Sequence, residues 1–125
     1  MESSDDRRLR LLLVSDHRAA GDALTEYLTR HGFDIVARAA NAAETAAAVR
    51  SMPIDVALVD GDLAAGWRTV VHAVSEPLAH NRIAVLQSYW GQQERLDARR
   101  CGIGATLLKR IAGPNLAGQL RALAA

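Results

Sequence analysis

Aromatic side chains are scarce in this sequence, with one Phe, two Tyr and two Trp in 125 positions. Any core must therefore be aliphatic and rich in alanine. The single cysteine, Cys101, excludes an intrachain disulfide framework and any cysteine-rich zinc site. It reads as a small residue near a helix end. Charge of one sign is not in excess either: 15 Lys and Arg stand against 14 Asp and Glu, for a net charge of +1. That balance argues against a broad basic surface for nucleic acid. The first apolar run spans only about six residues, too short for a signal-peptide core or a membrane span. The expectation is a soluble, cytoplasmic protein without membrane attachment. The polar stretch over residues 1–8 is expected to be a disordered leader.

What is present is apolar patterning, with half of the residues hydrophobic in a chain of single-domain length. Ile54-Asp55-Val56-Ala57-Leu58-Val59 is a short run between Pro53 and Gly61 and reads as a buried parallel strand over 54–59. Residues 9–14, 33–38, 82–86 and 105–108 read the same way. Helices are predicted between and after them, over 18–31, 42–51, 67–76, 91–101 and 114–124. Asn41 suits an N-cap, and His31-Gly32 suits a helix end. Pro77 should close the third helix and Pro114 should open the last. Trp67, Val70, Val71 and Val74 share one side of the third helix. The fourth is mostly charged, with Leu96 and Ala98 as its anchors. Strands alternating with helices imply an α/β protein with a parallel sheet covered on both faces. Right-handed crossovers then favour a three-layer, flavodoxin-like (βα)5 fold with strand order 2-1-3-4-5.

In such sheets chemistry sits past the carboxyl ends of the strands. There the chain places Ser15 and Asp16 after the first strand, Asp60 after the third, Gln87 and Ser88 after the fourth and Lys109 after the fifth. Two carboxylates on adjacent loops suit a hard cation such as Mg²⁺. A nearby lysine can neutralise a phosphoryl group, and a carboxylate beside them can act as a nucleophile toward phosphorus. Asp16 also suits an N-cap for the first helix. Asp62 suits a turn. Trp90, beside Tyr89, is either a packing residue or an exposed contact.

Three stretches in order, Leu12-Leu13-Val14-Ser15-Asp16-His17, Asp55-Val56-Ala57-Leu58-Val59-Asp60 and Gly104-Ala105-Thr106-Leu107-Leu108-Lys109, resemble the receiver domain of two-component response regulators. The resemblance covers residues 9–124. It implies that Asp60 accepts a phosphoryl group from a histidine kinase and that Asp16 helps hold Mg²⁺. It further implies that the Asp62 backbone carbonyl and, weakly, Ser15 complete the metal site, and that Lys109 contacts the phosphoryl oxygens. Gln87 and Ser88 stand where a hydroxyl normally meets that group. The Ser-Asp-His opening is similar to receivers joined to LuxR-type helix-turn-helix output domains. The implied protein is thus a non-enzymatic switch regulating transcription through an output domain or effector outside these residues. It would touch no nucleic acid itself and could pair as a homodimer through the face made by the fourth helix, fifth strand and fifth helix. The Arg95, Arg99 and Arg100 cluster lies on that face.

Departures from the pattern are equally legible. Ser15 replaces an acid, which should weaken Mg²⁺ binding. Thr106 stands where a switch aromatic is usual, and Arg110 where a proline follows the lysine. These favour an alternative reading, a pseudo-receiver used as a phosphorylation-independent interaction or dimerisation module. A flavin-binding flavodoxin lacks support, because no Ser/Thr/Gly-rich phosphate loop follows the first strand.

Overall fold

A computed structural model describes residues 8–74, 78–109 and 115–125. The predicted leader apart from Arg8, together with Pro77, Arg110 and Pro114, lies outside the described residues. Five strands, β1 (Leu9–Val14), β2 (Phe33–Ala39), β3 (Val56–Asp60), β4 (Ile83–Gln87) and β5 (Ala105–Leu108), form one parallel sheet in the order β2-β1-β3-β4-β5. The described helices are α1 (Arg18–Arg30), α2 (Ala42–Ser51), α3 (Trp67–Ala73), α4 (Gln92–Cys101) and α5 (Leu116–Ala124), with one 3₁₀ turn at His80–Arg82. This is the α/β architecture that the sequence predicts.

Strand alternation divides the core into two layers. Leu11 and Leu13 of β1 meet Leu28 of α1 and Leu116 and Leu120 of α5 on one face. Leu12 and Val14 meet Val49 of α2, Trp67, Val70 and Val71 of α3 and Ala98 of α4 on the other. Successive strand side chains point to opposite faces, so helices must cover both. Each fully buried aliphatic side chain contributes about 1.5–3 kcal/mol. The central strand β3 and its neighbour β4 are buried along their whole length.

Local chemistry sets the element ends. The Asn41 side chain accepts from the Glu44 backbone N–H at 2.9 Å and caps α2. Gly32, with φ of 92°, takes the left-handed conformation that stops the chain after α1. β3 begins later than the sequence suggests, at Val56. The Asp55 N–H still donates to the Arg10 carbonyl at 2.8 Å, but Arg10 N–H returns to the Asp55 carboxylate at 2.7 Å rather than to a backbone carbonyl, so regular strand pairing begins one residue later, at Leu11 and Val56. Leu96 is a second correction: it is 39% exposed, whereas Ala98 is buried. Two residues span roughly 200° of helix rotation, so both cannot face the sheet.

Gly104 approaches the 3₁₀ turn closely. A Cβ there would lie 2.2 Å from the Asn81 carbonyl oxygen and 2.8 Å from the Leu123 side chain. Gly104→Ala should therefore lose about 1–3 kcal/mol. Urea unfolding would read this as a lower midpoint with an unchanged slope; an unchanged midpoint would refute the close approach.

Candidate functional site

Parallel strands deliver all their carboxyl ends to one edge. Asp60 is the last residue of β3 and is 3% exposed, a carboxylate set in the floor of that edge. Gly61 continues the pairing, its N–H donating to the Leu86 carbonyl at 2.8 Å. Beyond it the chain turns, and the Asp62 N–H donates back to Asp60 Oδ1 at 3.1 Å. Lys109, the residue after β5, brings its Nζ to 3.1 Å from the same Oδ1. The Ser15 hydroxyl lies 3.3 Å from Asp60 Oδ2. Asp60 and Lys109 also line a cleft of about 260 Å³ with Ala20 and Leu24 of α1, Leu86 and Leu116.

Asp16 does not cap α1. The N-cap is His17, which makes no side-chain capping bond. Asp16 is exposed and reaches across instead, its Oδ2 accepting from the Ala64 N–H at 3.1 Å. The β3–α3 loop is thereby held by Asp60 at one point and Asp16 at another. Beside them Ser15, Asp16, Arg18 and Arg38 line an open cleft of about 440 Å³.

The end of β4 is arranged differently from a direct hydroxyl contact. Gln87 is buried, its side chain lying over Gly61, where a Cβ would come within 2.3 Å of Gln87 Cγ. Its amide nitrogen donates to the Tyr89 carbonyl at 3.3 Å. The Ser88 hydroxyl donates to Asp62 Oδ2 at 2.9 Å. Lys109 Nζ is 2.9 Å from that same oxygen. The family pattern points only to the backbone carbonyl of Asp62; the structure adds its carboxylate, as a partner of Lys109 and Ser88. The available signal was its position two residues past Asp60.

Electrostatics follow from this sharing. Burial alone lowers the Lys109 pKa, but hydrogen bonds to Asp62 and Asp60 outweigh it and hold the ammonium above its ordinary 10.5. Burial alone raises Asp62, but Lys109 and Ser88 outweigh it and hold the carboxyl below its ordinary 3.8. The cleft thus carries a carboxylate–ammonium–carboxylate bridge between β3 and β5.

Trp90 is buried in packing rather than exposed. Its indole N–H donates to the Leu107 carbonyl at 2.8 Å, and its ring lies 6.0 Å from that of Trp67 at 51°. Tyr89 is 74% exposed. Thr106 lines a cleft of about 210 Å³ with Arg95 and Arg99, between β5 and α4.

The donors this edge offers are oxygens: the carboxylates of Asp16, Asp60 and Asp62 and the Ser15 hydroxyl. That chemistry fits a hard divalent ion. Among the described residues no group of three His, Cys, Asp or Glu side chains is arranged to hold a metal.

No protein-family model and no curated protein matches this sequence. Solved structures match in fold. A two-component response regulator of the LuxR family from Aurantimonas sp. SI85-9A1 is 23% identical, with a TM-score of 0.82 over 94% of this chain and 85% of that one. A CheY-like response regulator receiver domain protein from Methanospirillum hungatei JF-1 is 20% identical, with a TM-score of 0.78 over 94% of each chain. The response regulator domain of Thermotoga maritima CheB is 17% identical, with a TM-score of 0.80 over 94% of this chain and 97% of that one. The protein therefore has the receiver-domain fold.

Removing the shared ammonium tests the bridge. In Lys109→Met the Asp62 carboxyl should titrate higher than in the wild type, as read by carboxyl-carbon NMR. The Lys109–Asp62 part of the stability difference is present at neutral pH. It should fade as pH falls through the depressed Asp62 value below 3.8, and as pH rises past the elevated Lys109 value above 10.5. An Asp62 titration that ignores the substitution would mean that the two groups do not interact.

Proposed function

We propose that this chain is a phosphoacceptor receiver in a two-component signalling system. The observation that carries this reading is the buried Asp60 carboxylate at the end of β3, bridged to Lys109 at the end of β5, on a receiver-domain fold.

The chemistry follows from the two oxygens of Asp60. Oδ1 is engaged by Lys109 and the Asp62 N–H, whereas among the described residues Oδ2 has only the longer contact from Ser15. Oδ2 is therefore the nucleophile. It attacks the phosphorus of a phosphohistidine on a histidine kinase, forming the O–P bond of an acyl phosphate. The P–N bond breaks, and its electron pair leaves on the imidazole nitrogen, which takes a proton from solvent. Lys109 offsets the charge on the phosphoryl oxygens and Ser15 offers them a hydroxyl. When bound, Mg²⁺ supplies charge neutralisation for the transferring group. Asp16, Asp60 and the Asp62 carbonyl would hold it, with Ser15 a weak fourth donor. Gln87 and Ser88 flank the site from β4.

In this reading the chain is acceptor and switch, not an enzyme with a turnover of its own. It acts in the cytoplasm, where the kinase's phosphohistidine is presented. No described helix is long and apolar enough to cross a membrane. Its readout is an output domain or effector, with transcription as the regulated process and homodimerisation through α4, β5 and α5 as one route. Nucleic acid is contacted by the output partner and not by this domain.

A second reading has its own support. The Gln87 amide is turned to Tyr89, Ser88 is drawn to Asp62, and Trp90 is anchored to β5. A site so tied suits a pseudo-receiver, a fixed interaction module.

Intact-mass analysis after incubation with acetyl phosphate separates the two. A Mg²⁺-dependent phosphoryl adduct on the wild type, absent from Asp60→Asn, supports the acceptor; no adduct at any Mg²⁺ concentration leaves the pseudo-receiver. In the same assay Ser15→Asp should restore a third carboxylate and lower the Mg²⁺ concentration needed by several-fold. An unchanged requirement would remove Ser15 from the metal site.

A further inference from the structure

Lys109 is shared, and the oxygen it shares on the far side leads away from the phosphoacceptor. Asp62 Oδ2 accepts from Lys109 Nζ and from the Ser88 hydroxyl, each at 2.9 Å. Ser88 opens the β4–α4 segment, followed by exposed Tyr89 and buried Trp90. A continuous polar path thus runs from Asp60 Oδ1 through Lys109, Asp62 and Ser88 to that segment. Gln87 also reaches that segment, its amide nitrogen donating to the Tyr89 carbonyl, but among the described residues it makes no hydrogen bond to Asp60, Lys109 or Asp62.

Resting on the receiver reading, we propose that Asp62 and Ser88 form the relay that couples Asp60 to the β4–α4 segment, in place of a direct hydroxyl contact to the phosphoryl group. The coupling is electrostatic. An aspartyl carboxylate carries one negative charge; a phosphoryl group at neutral pH carries roughly 1.5 to 2. The ammonium is drawn toward the greater charge and its charge-assisted bond to Asp62 weakens. Asp62 is left beside a phosphoryl group of like sign, with Ser88 as its remaining partner. Repulsion displaces the Asp62 carboxylate, and the Ser88 hydroxyl either follows it or lets go. In either case the tether at the start of the segment changes, while Trp90 holds its end to the Leu107 carbonyl. Asp62 is here a positioning residue acting through Lys109, not a group that touches phosphorus.

The test uses the whole chain, acetyl phosphate and Mg²⁺, with two readouts on the same sample. Intact mass gives the phosphorylated fraction, and ¹⁵N NMR follows the Ser88 and Tyr89 amides and the Trp90 indole N–H, the last assigned with Trp90→Phe. In the wild type these resonances should shift in proportion to the phosphorylated fraction. In Asp62→Asn and in Ser88→Ala the shift per phosphorylated molecule should fall several-fold, and Asp62→Glu should restore it. Ser88→Ala keeps both carboxylates and the ammonium, so it carries the test even where the charge change at position 62 alters phosphorylation itself. Equal shifts per phosphorylated molecule in Ser88→Ala and wild type overturn the relay. So does a phosphorylated wild type whose Ser88, Tyr89 and Trp90 signals stay still. No adduct on any chain overturns the receiver reading, and the relay with it.

Discussion

A carboxylate withdrawn from water costs several kcal/mol unless a counter-charge and hydrogen bonds meet it. Asp60 is withdrawn in this way by its place at the end of a fully buried strand, and the arrangement around it answers that cost. Lys109 supplies the charge, the Asp62 N–H a bond to the same oxygen, and the Ser15 hydroxyl a longer contact to the other. Each comes from a different strand end. The site therefore exists only when β1, β3 and β5 are in register, and the sheet order β2-β1-β3-β4-β5 is a condition of the chemistry as well as of the fold.

The same demand explains the β3–α3 loop. Backbone N–H groups of Asp62 and Ala64 are held by the carboxylates of Asp60 and Asp16. Gly61 allows the Gln87 side chain to close over the backbone just ahead of them. Lys109 then ties the loop to β5 through a second carboxylate. One ammonium between two acids is stable because each acid offsets part of its desolvation, but neither acid holds it alone. That division makes the bridge responsive to any change of charge at Asp60, and it places Ser88 within reach of the response.

The architecture was legible in the sequence because it rests on local patterns. Short apolar runs ending in polar residues define β1 and β3, and the spacing of Trp67, Val70 and Val71 defines the buried side of α3. Asn41 caps its helix as its side chain dictates. The misplacements have equally local causes. The Asp55 carboxylate takes the Arg10 N–H that a strand carbonyl would accept, so regular pairing of β3 starts one residue late, and Leu96 sits on the wrong side of a helix with a single buried side chain.

By itself the sequence determined the order of the elements, the two-layer core and the identity of the residues at the strand ends, since hydrophobic period and capping act over a few neighbouring positions. It left open what those residues do to one another. Whether Asp16 caps its own helix or holds a distant loop depends on Ala64, 48 residues along the chain. Whether Ser88 faces Asp60 or Asp62, and whether Trp90 is exposed or tied to β5, depends on strand register and on the direction of single side chains. Those choices are made by hydrogen bonds between elements remote in sequence, and only the assembled tertiary structure decides them.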